Sequence, residues 1–296
     1  DPNSTKIAND KDIWPNIEED FKFAAANLPA TQSQKGRATK WAAMAYLAKA
    51  YMFQKKYSLA KPLLLDILQN SGKKLVAEYH DNYRNTTNNN SESIFEVQFS
   101  VNDGSTGNNG NAGDNLNWPY SATAPGRGCC GFYQPSQNLV NAFKTSVDGL
   151  PLIGKNKAGL EDTYNEVDLP NDQGFAANAA FTLNVSAPVD PRLDWTVGRR
   201  GVNFLDWGKM PGFSWIRDQN YAGPYTGKKW MYYLADEGSS THSTSRRSVN
   251  NNYRLLKLSM VILWLAEIEA EANYLAKAEM YVNMIRDRAK AGKVQD

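Results

Sequence analysis

The run from Gly36 to Leu68 constrains the fold more than any other part of the chain. Leu47, Ala48 and Tyr51 recur at helical steps, Tyr57 marks a turn, and Ala60, Leu64 and Ile67 recur again. The spacing predicts two antiparallel helices, Thr39 to Phe53 and Ser58 to Asn70, with alanines at the crossing that let the backbones approach closely. Ser71-Gly72 is the stop, and Pro62 falls within the first turn or so of the second helix, where a missing amide donor is tolerated. A second copy lies near the far end, in Leu265, Ala266, Leu275, Ala278, Val282 and Ile285, and the step from Ala48 to Ala60 recurs from Ala266 to Ala278. A single hairpin cannot bury its own apolar face, so the residues between the copies read as an insertion carried by a helical scaffold.

Hairpins of this kind are tetratricopeptide-like, and the expected fold is all-α. The expected organisation is one domain over 1–296, with helical scaffold in 1–72 and 251–296 and a loop-rich, ligand-binding insertion in 73–250 that holds a few short strands. Asp10-Lys-Asp12 offers a cap to a helix carrying Ile13, Trp14, Ile17, Phe21, Ala24, Ala25 and Leu28 before Pro29. Phe95 to Val101 alternates apolar and polar residues, as a strand does. Gln137 to Phe143 reads as a short helix capped by Ser136, whereas Gly149 to Pro188 has little periodicity. Tyr253 to Glu271 is apolar nearly all round and reads as a buried helix, paired with Ala276 to Arg288.

The charge balance disfavours several partners. The chain has 33 basic and 31 acidic residues and no basic block longer than a dipeptide, so nucleic acid is not the expected partner. No uninterrupted apolar stretch, Met260 to Ala266 among them, approaches the roughly 20 residues that a helix needs to span a bilayer.

Catalytic constellations are sparse. His80 and His242 are the only histidines, lie far apart and have no Cys or carboxylate at ligand spacing, so neither a metal site nor a Ser-His-Asp triad is expected, and no cofactor. His80 reads as a solvated turn residue and His242 as part of a Ser/Thr-rich loop. Glycoside hydrolysis needs only two carboxylates, and the candidates are Asp190, Asp194, Asp206 and Asp218. Each has a structural alternative: Asp190-Pro191 begins a turn, Asp194 can pair with Arg192 or Arg199, and Asp218 follows Arg217. The adjacent Cys129 and Cys130 read as two loop thiols, with a redox-active vicinal disulfide as the alternative. The expectation is a protein that is not an enzyme.

A sugar presents flat CH faces ringed by hydroxyls, so a binder needs exposed rings for stacking and amide or guanidinium groups for the hydroxyls. The middle segment supplies both: Trp118, Tyr120, Phe132 and Tyr133 beside Asn117 and Arg127, and Trp207, Trp215, Tyr221, Tyr225, Trp230 and Tyr232 beside Arg217 and Lys228. Trp118 and Tyr120 lead, because a Trp-Pro-Tyr cluster after a long polar loop is hard to bury. Trp215, Trp230, Tyr232, Arg127 and Asn117 complete the candidate ligand site.

With these residues in view the chain resembles the SusD/RagB-type proteins, outer-membrane nutrient-binding lipoproteins of Bacteroidota. The resemblance rests on Ile17 to Phe21 with Leu28-Pro29, Gly36 to Tyr51, Glu92 to Gln98, Gln134 to Val140, Asp190-Pro-Arg192 with Thr196 to Arg199, Asn252 to Leu256, and Tyr281 to Ala289. It implies tetratricopeptide-like hairpins under a loop-rich face that binds a glycan, at the cell surface, and a SusC-like TonB-dependent transporter as partner. It also implies attachment to the membrane only through a lipid anchor that this sequence does not contain, so the sequence reads as an internal fragment or a chain trimmed at both ends. A binder of peptides or glycoprotein fragments is the alternative within the family. A tetratricopeptide-type protein-interaction scaffold is the alternative outside it.

Overall fold

The computed structural model describes residues 10–154 and 163–293; the expected boundaries and irregular segments that fall on 1–9, 155–162 and 294–296 lie outside the described residues. The first helices are α1 (Trp14–Asn27), α2 (Lys40–Phe53) and α3 (Tyr57–Asn70), followed by strand β1 (Ser93–Val97). The middle holds short elements: α4 (Gln137–Asn141), α5 (Leu193–Thr196), β2 (Val197–Gly198), α6 (Gln219–Ala222), β3 (Thr226–Gly227) and α7 (Glu237–Ser240). Next come β4 (Thr241–His242), β5 (Ser245–Val249) and β6 (Tyr253–Lys257), then the long helices α8 (Leu258–Glu271) and α9 (Leu275–Ala291). Helices dominate the regular structure, and the strands pair only two by two, β1 with β6, β2 with β3 and β4 with β5. Among the described residues no helix is long and apolar enough to cross a membrane.

The chain forms two compact units. The first takes the described residues up to Leu75 together with Ser91–Glu96 and Arg254–Ile285. Its helices start where local chemistry allows: Asp12 Oδ1 accepts from the Trp14 amide at 3.0 Å, and Thr39 Oγ1 accepts from the Ala42 amide at 3.4 Å. Ala45, Ala48, Ala60, Leu64, Ile67, Leu256, Val261, Ile262, Leu265 and Tyr281 form one buried cluster, in which Ala48 and Ala60 are fully enclosed. The buried carboxylate Glu269 is held by Lys61 at 3.0 Å and Lys277 at 3.1 Å, contacts that draw its pKa below the ordinary range against the opposing effect of burial.

Two expectations need correction here. The strand expected over Phe95 to Val101 begins and ends earlier, at Ser93 and Val97. Residues 253–257, expected to open the α8 helix, are strand β6 instead. Their alternating burial lets Arg254 and Leu256 point inward, and β1 supplies the ladder partner, so a pairing distant in sequence overrides the helical pattern.

The second unit takes Val76–Asn90, Val97–Tyr253 and the described residues from Arg286. It has two buried clusters: Trp118, Trp195, Phe204, Met210, Trp215, Met231 and Tyr232 in one, Val140, Leu169, Leu193, Val197 and Tyr225 in the other. With little regular structure to bring side chains together, large rings fill the interior. Gly198, in β2, shows how tightly: a Cβ there would lie 2.6 Å from the Phe204 ring and 2.8 Å from Thr226 Cγ2.

Candidate functional site

The loop from Asp114 to Gln134 is fixed by main-chain bonds at both arms. The Gly131 amide donates to the Trp118 carbonyl at 3.0 Å, the Phe132 amide to the Leu116 carbonyl at 3.0 Å, and the Tyr120 amide to the Trp215 carbonyl at 2.9 Å. Trp118, expected to resist burial, is only 1% exposed. Its indole packs on Tyr232 at 5.3 Å between ring centroids, and Gly126 passes so close that a Cβ there would fall 2.9 Å from the indole. The Gly126 amide donates to the Tyr232 hydroxyl at 2.9 Å, and burial pushes the Tyr232 phenol pKa up.

Tyr120, two positions beyond Trp118, is 43% exposed, and beside it Phe132 is 39% and Tyr133 69% exposed. Arg217 sits against the first two, its guanidinium carbon 5.2 Å from the Tyr120 ring centre and 4.2 Å from that of Phe132. Its Nη1 donates to the Cys130 carbonyl at 3.2 Å. Gly131 has φ +64°, and a Cβ there would lie 3.1 Å from Arg217 Cβ and 3.2 Å from Tyr120 Cβ, so glycine is what lets the three come together. Cys129 and Cys130 are joined as a vicinal disulfide, which corrects the reading of two loop thiols. Arg247 Nη1 donates to Cys130 Sγ at 3.3 Å.

The other candidates divide by burial. Trp215 is buried edge-on to Phe204 at 5.3 Å, and Tyr232 is buried as well, so with Trp118 they form a supporting layer with no ring face open to a ligand. Arg127 is exposed but engaged: its Nε and Nη2 reach the two oxygens of Glu237 at 2.8 and 2.9 Å, an arrangement that lowers the Glu237 pKa. Asn117 is half-buried and donates to Asp114 Oδ1 at 3.3 Å. Trp230 is half-buried and stacks on the exposed Tyr253 at 5.7 Å, which makes a second, smaller ring surface. Lys228 is buried, with its ammonium donating to the Asn203 carbonyl at 2.6 Å, and desolvation pulls its pKa down to about 7.

The carboxylates considered for hydrolysis all have structural work. Asp190 pairs with Arg192, and Asp194 with Arg199 through two bonds of 2.7 Å. Asp206 accepts from the Leu234 and Ala235 amides at 2.6 and 2.9 Å, and Asp218 caps α6 by accepting from the Asn220 amide at 2.9 Å. Among the described residues Asp218 forms no ion pair with its neighbour Arg217, whose Nη1 goes to the Cys130 carbonyl. A cleft of about 520 Å³ lies among Leu183, Val185, Val189, Asp194, Arg199 and Lys209, and among the described residues no aromatic ring lines it. Among the described residues no group of three or more His, Cys, Asp or Glu side chains could hold a metal ion.

The expectation of a solvated His80 is overturned: the imidazole is buried, stacked on Trp195 at 4.7 Å, and burial with the nearby charges of Lys228 and Arg84 lowers its pKa to about 3. His242 is also buried, in β4. Because the folded pKa of His80 lies below its ordinary 6.5, the unfolded chain binds the proton first as pH falls, and stability present above pH 6.5 drains away below it. Between pH 6.5 and pH 5 the loss should be roughly 2 kcal/mol. Urea unfolding of the parent and of His80→Phe across that window measures it; parallel pH profiles would show that His80 contributes nothing.

A helix-dominated chain whose loop-rich unit displays rings around a fixed guanidinium is the class defined by this fold and site. The SusD family model matches residues 91–296, and the chain belongs to the SusD family. A SusD-like protein of Formosa agariphila is 27% identical over 96% of this chain and 48% of its own length. A solved SusD-like protein of Bacteroides fragilis is 24% identical with a TM-score of 0.63, over 93% of this chain and 52% of that one. The surface glycan-binding protein A of Bacteroides thetaiotaomicron, solved with laminarihexaose, is 18% identical with a TM-score of 0.56, over 96% of this chain and 54% of that one. The chain thus spans about half the length of these relatives.

Proposed function

We propose that this chain is the ligand-binding part of a non-enzymatic protein that holds an oligosaccharide at the cell surface and passes it to a SusC-like TonB-dependent transporter. The observation that carries the reading is the exposed ring set of Tyr120, Phe132 and Tyr133, held on a loop pinned by main-chain bonds and built around Arg217. Rings already fixed in place lose little freedom when a sugar stacks on them, which favours binding. The laminarihexaose complex of a protein similar in fold supports a saccharide ligand, and the engagement of Asp190, Asp194, Asp206 and Asp218 supports binding without hydrolysis.

In this reading residues 73–250 are the ligand-bearing insertion. The α2–α3 and α8–α9 pairs are tetratricopeptide-like scaffold, and a lipid anchor of the whole protein keeps it at the outer membrane. Tyr120 is retained from the first candidate set as a ring that touches ligand, Trp230 is a secondary contact, and Trp118, Trp215 and Tyr232 act from beneath.

The test is affinity electrophoresis against a panel of polysaccharides, with released reducing sugar measured in the same samples. Retardation without sugar release is the expected result; sugar release, or no retardation of folded protein by any polymer, would overturn the reading. Replacing Tyr120 and Tyr133 together with Ala should weaken binding by at least about 1 kcal/mol with little change in Tm. Unchanged affinity in the folded double variant would move the site elsewhere, with the Trp230–Tyr253 surface next to be tried.

A further inference from the structure

Five arginines of the second unit are paired with a carboxylate: Arg84 with Asp236, Arg127 with Glu237, Arg192 with Asp190, Arg199 with Asp194 and Arg200 with Asp172. Arg217 and Arg247 form no salt bridge among the described residues. The polar partners of both belong to one residue, Cys130: its carbonyl oxygen for Arg217 and its sulfur for Arg247. Asp218, the acid adjacent in sequence, is taken up in capping α6. Both guanidinium groups therefore contact a single half-cystine, and Arg217 does so beside the exposed rings of Tyr120 and Phe132.

A guanidinium without a carboxylate partner gains electrostatic energy when an anion is placed upon it. A guanidinium is a planar fork that matches a carboxylate or sulfate with two parallel bonds. Arg217 has only Nη1 occupied by the Cys130 carbonyl, and the rings of Tyr120 and Phe132 on its flanks hold the fork in place before a ligand arrives. The same rings offer a surface to the CH face of a sugar.

Building on the glycan reading above, we infer that this site selects anionic saccharides, with Arg217 and Arg247 receiving a uronate carboxylate or a sulfate ester while Tyr120 and Phe132 take the sugar ring. Arg217 makes the direct bidentate contact, and Arg247 adds the second positive charge.

The experiment compares binding of the chain to polygalacturonate, which carries carboxylates, to carrageenan, which carries sulfate esters, to the neutral laminarin and xyloglucan, and to poly-L-glutamate, an anionic polymer without sugar. One of the two anionic polysaccharides should bind at least about tenfold tighter than the neutral ones. That margin should shrink as salt rises and should vanish in Arg217→Gln and narrow in Arg247→Gln. Which polymer wins distinguishes carboxylate from sulfate. The salt titration on the parent protein reads the charge contribution without a substitution, and a margin that does not change with salt counts against an ionic contact even where a variant folds poorly. Tighter or equal binding of neutral polymers, unaffected by Arg217→Gln or by salt, overturns this inference and leaves glycan binding standing. Equal binding of poly-L-glutamate overturns the saccharide selectivity. Failure of folded protein to bind any polysaccharide overturns both this inference and the reading it rests on.

Discussion

Replacing Arg254 with Ala should lower the folding free energy by about 3–5 kcal/mol. The guanidinium meets Glu96 at 2.8 Å, and the two side chains are only 2% and 0% exposed. They come from β6 and β1, the pair of strands in the helical unit, so the contact joins segments far apart in sequence. Removing one partner leaves the other charge buried; desolvation already depresses the pKa of the half-buried Lys73 nearby, and Lys73 alone is a poor substitute. Replacing both Glu96 and Arg254 with Met removes both desolvation penalties together, and its expected effect is far smaller than that of either single change. Urea denaturation of the three variants reads this directly. A loss below about 1 kcal/mol for Arg254→Ala would mean that water reaches Glu96 and that the strand pair does not depend on the ion contact.

The second large effect separates the core of the loop-rich unit from its ligand face. Trp118→Ala should destabilise by about 3–5 kcal/mol, since it opens a cavity beside Tyr232 and Gly126 that main-chain bonds at Leu116, Trp118 and Tyr120 keep from collapsing. Trp118→Phe should be milder, because the indole N–H is buried without a hydrogen-bond partner among the described residues and its loss leaves no acceptor stranded. Tyr120→Ala, two residues on, should change stability by less than about 1 kcal/mol while weakening ligand binding. A Trp118→Ala protein with unchanged Tm and selectively lost binding would reverse this assignment, making Trp118 a ligand contact.

These two residues also show where reading along the chain stops. Trp118 and Tyr120 share a local context, and both were expected to face the ligand. What divides them is Tyr232 and Gly126 on one side and Arg217 on the other, placed by contacts between separate segments of the loop-rich unit. His80 is similar: nothing in Tyr79-His-Asp81 indicates that Trp195 will cover its ring. Arg217 was legible as one polar group among several, with Asp218 following it as a candidate partner, whereas Arg247 carried no local signal. That Asp218 turns to cap α6 and leaves Arg217 without an acid is visible only in three dimensions.

Helix positions in the first unit followed from residue order. Apolar residues at three- and four-residue steps, the cap at Thr39, the Asp12 bond to the Trp14 amide just ahead of α1, whose N-cap residue is Ile13 rather than Asp12, and the alanines at 48 and 60 act through neighbours one turn away or through a hairpin partner close in sequence. The short helix after Ser136 followed for the same reason, its cap accepting from the Leu139 amide at 3.1 Å. Strand β6 did not, because Tyr253–Lys257 gains its conformation from β1, and a ladder bond has no expression in the local pattern. Abundant rings in the loop-rich segment announced a protein with aromatic surface to offer, but composition is blind to burial. Trp118 went inward under Tyr232 and Gly126, and Trp215 under Phe204, whereas Tyr120, Phe132 and Tyr133 stay exposed.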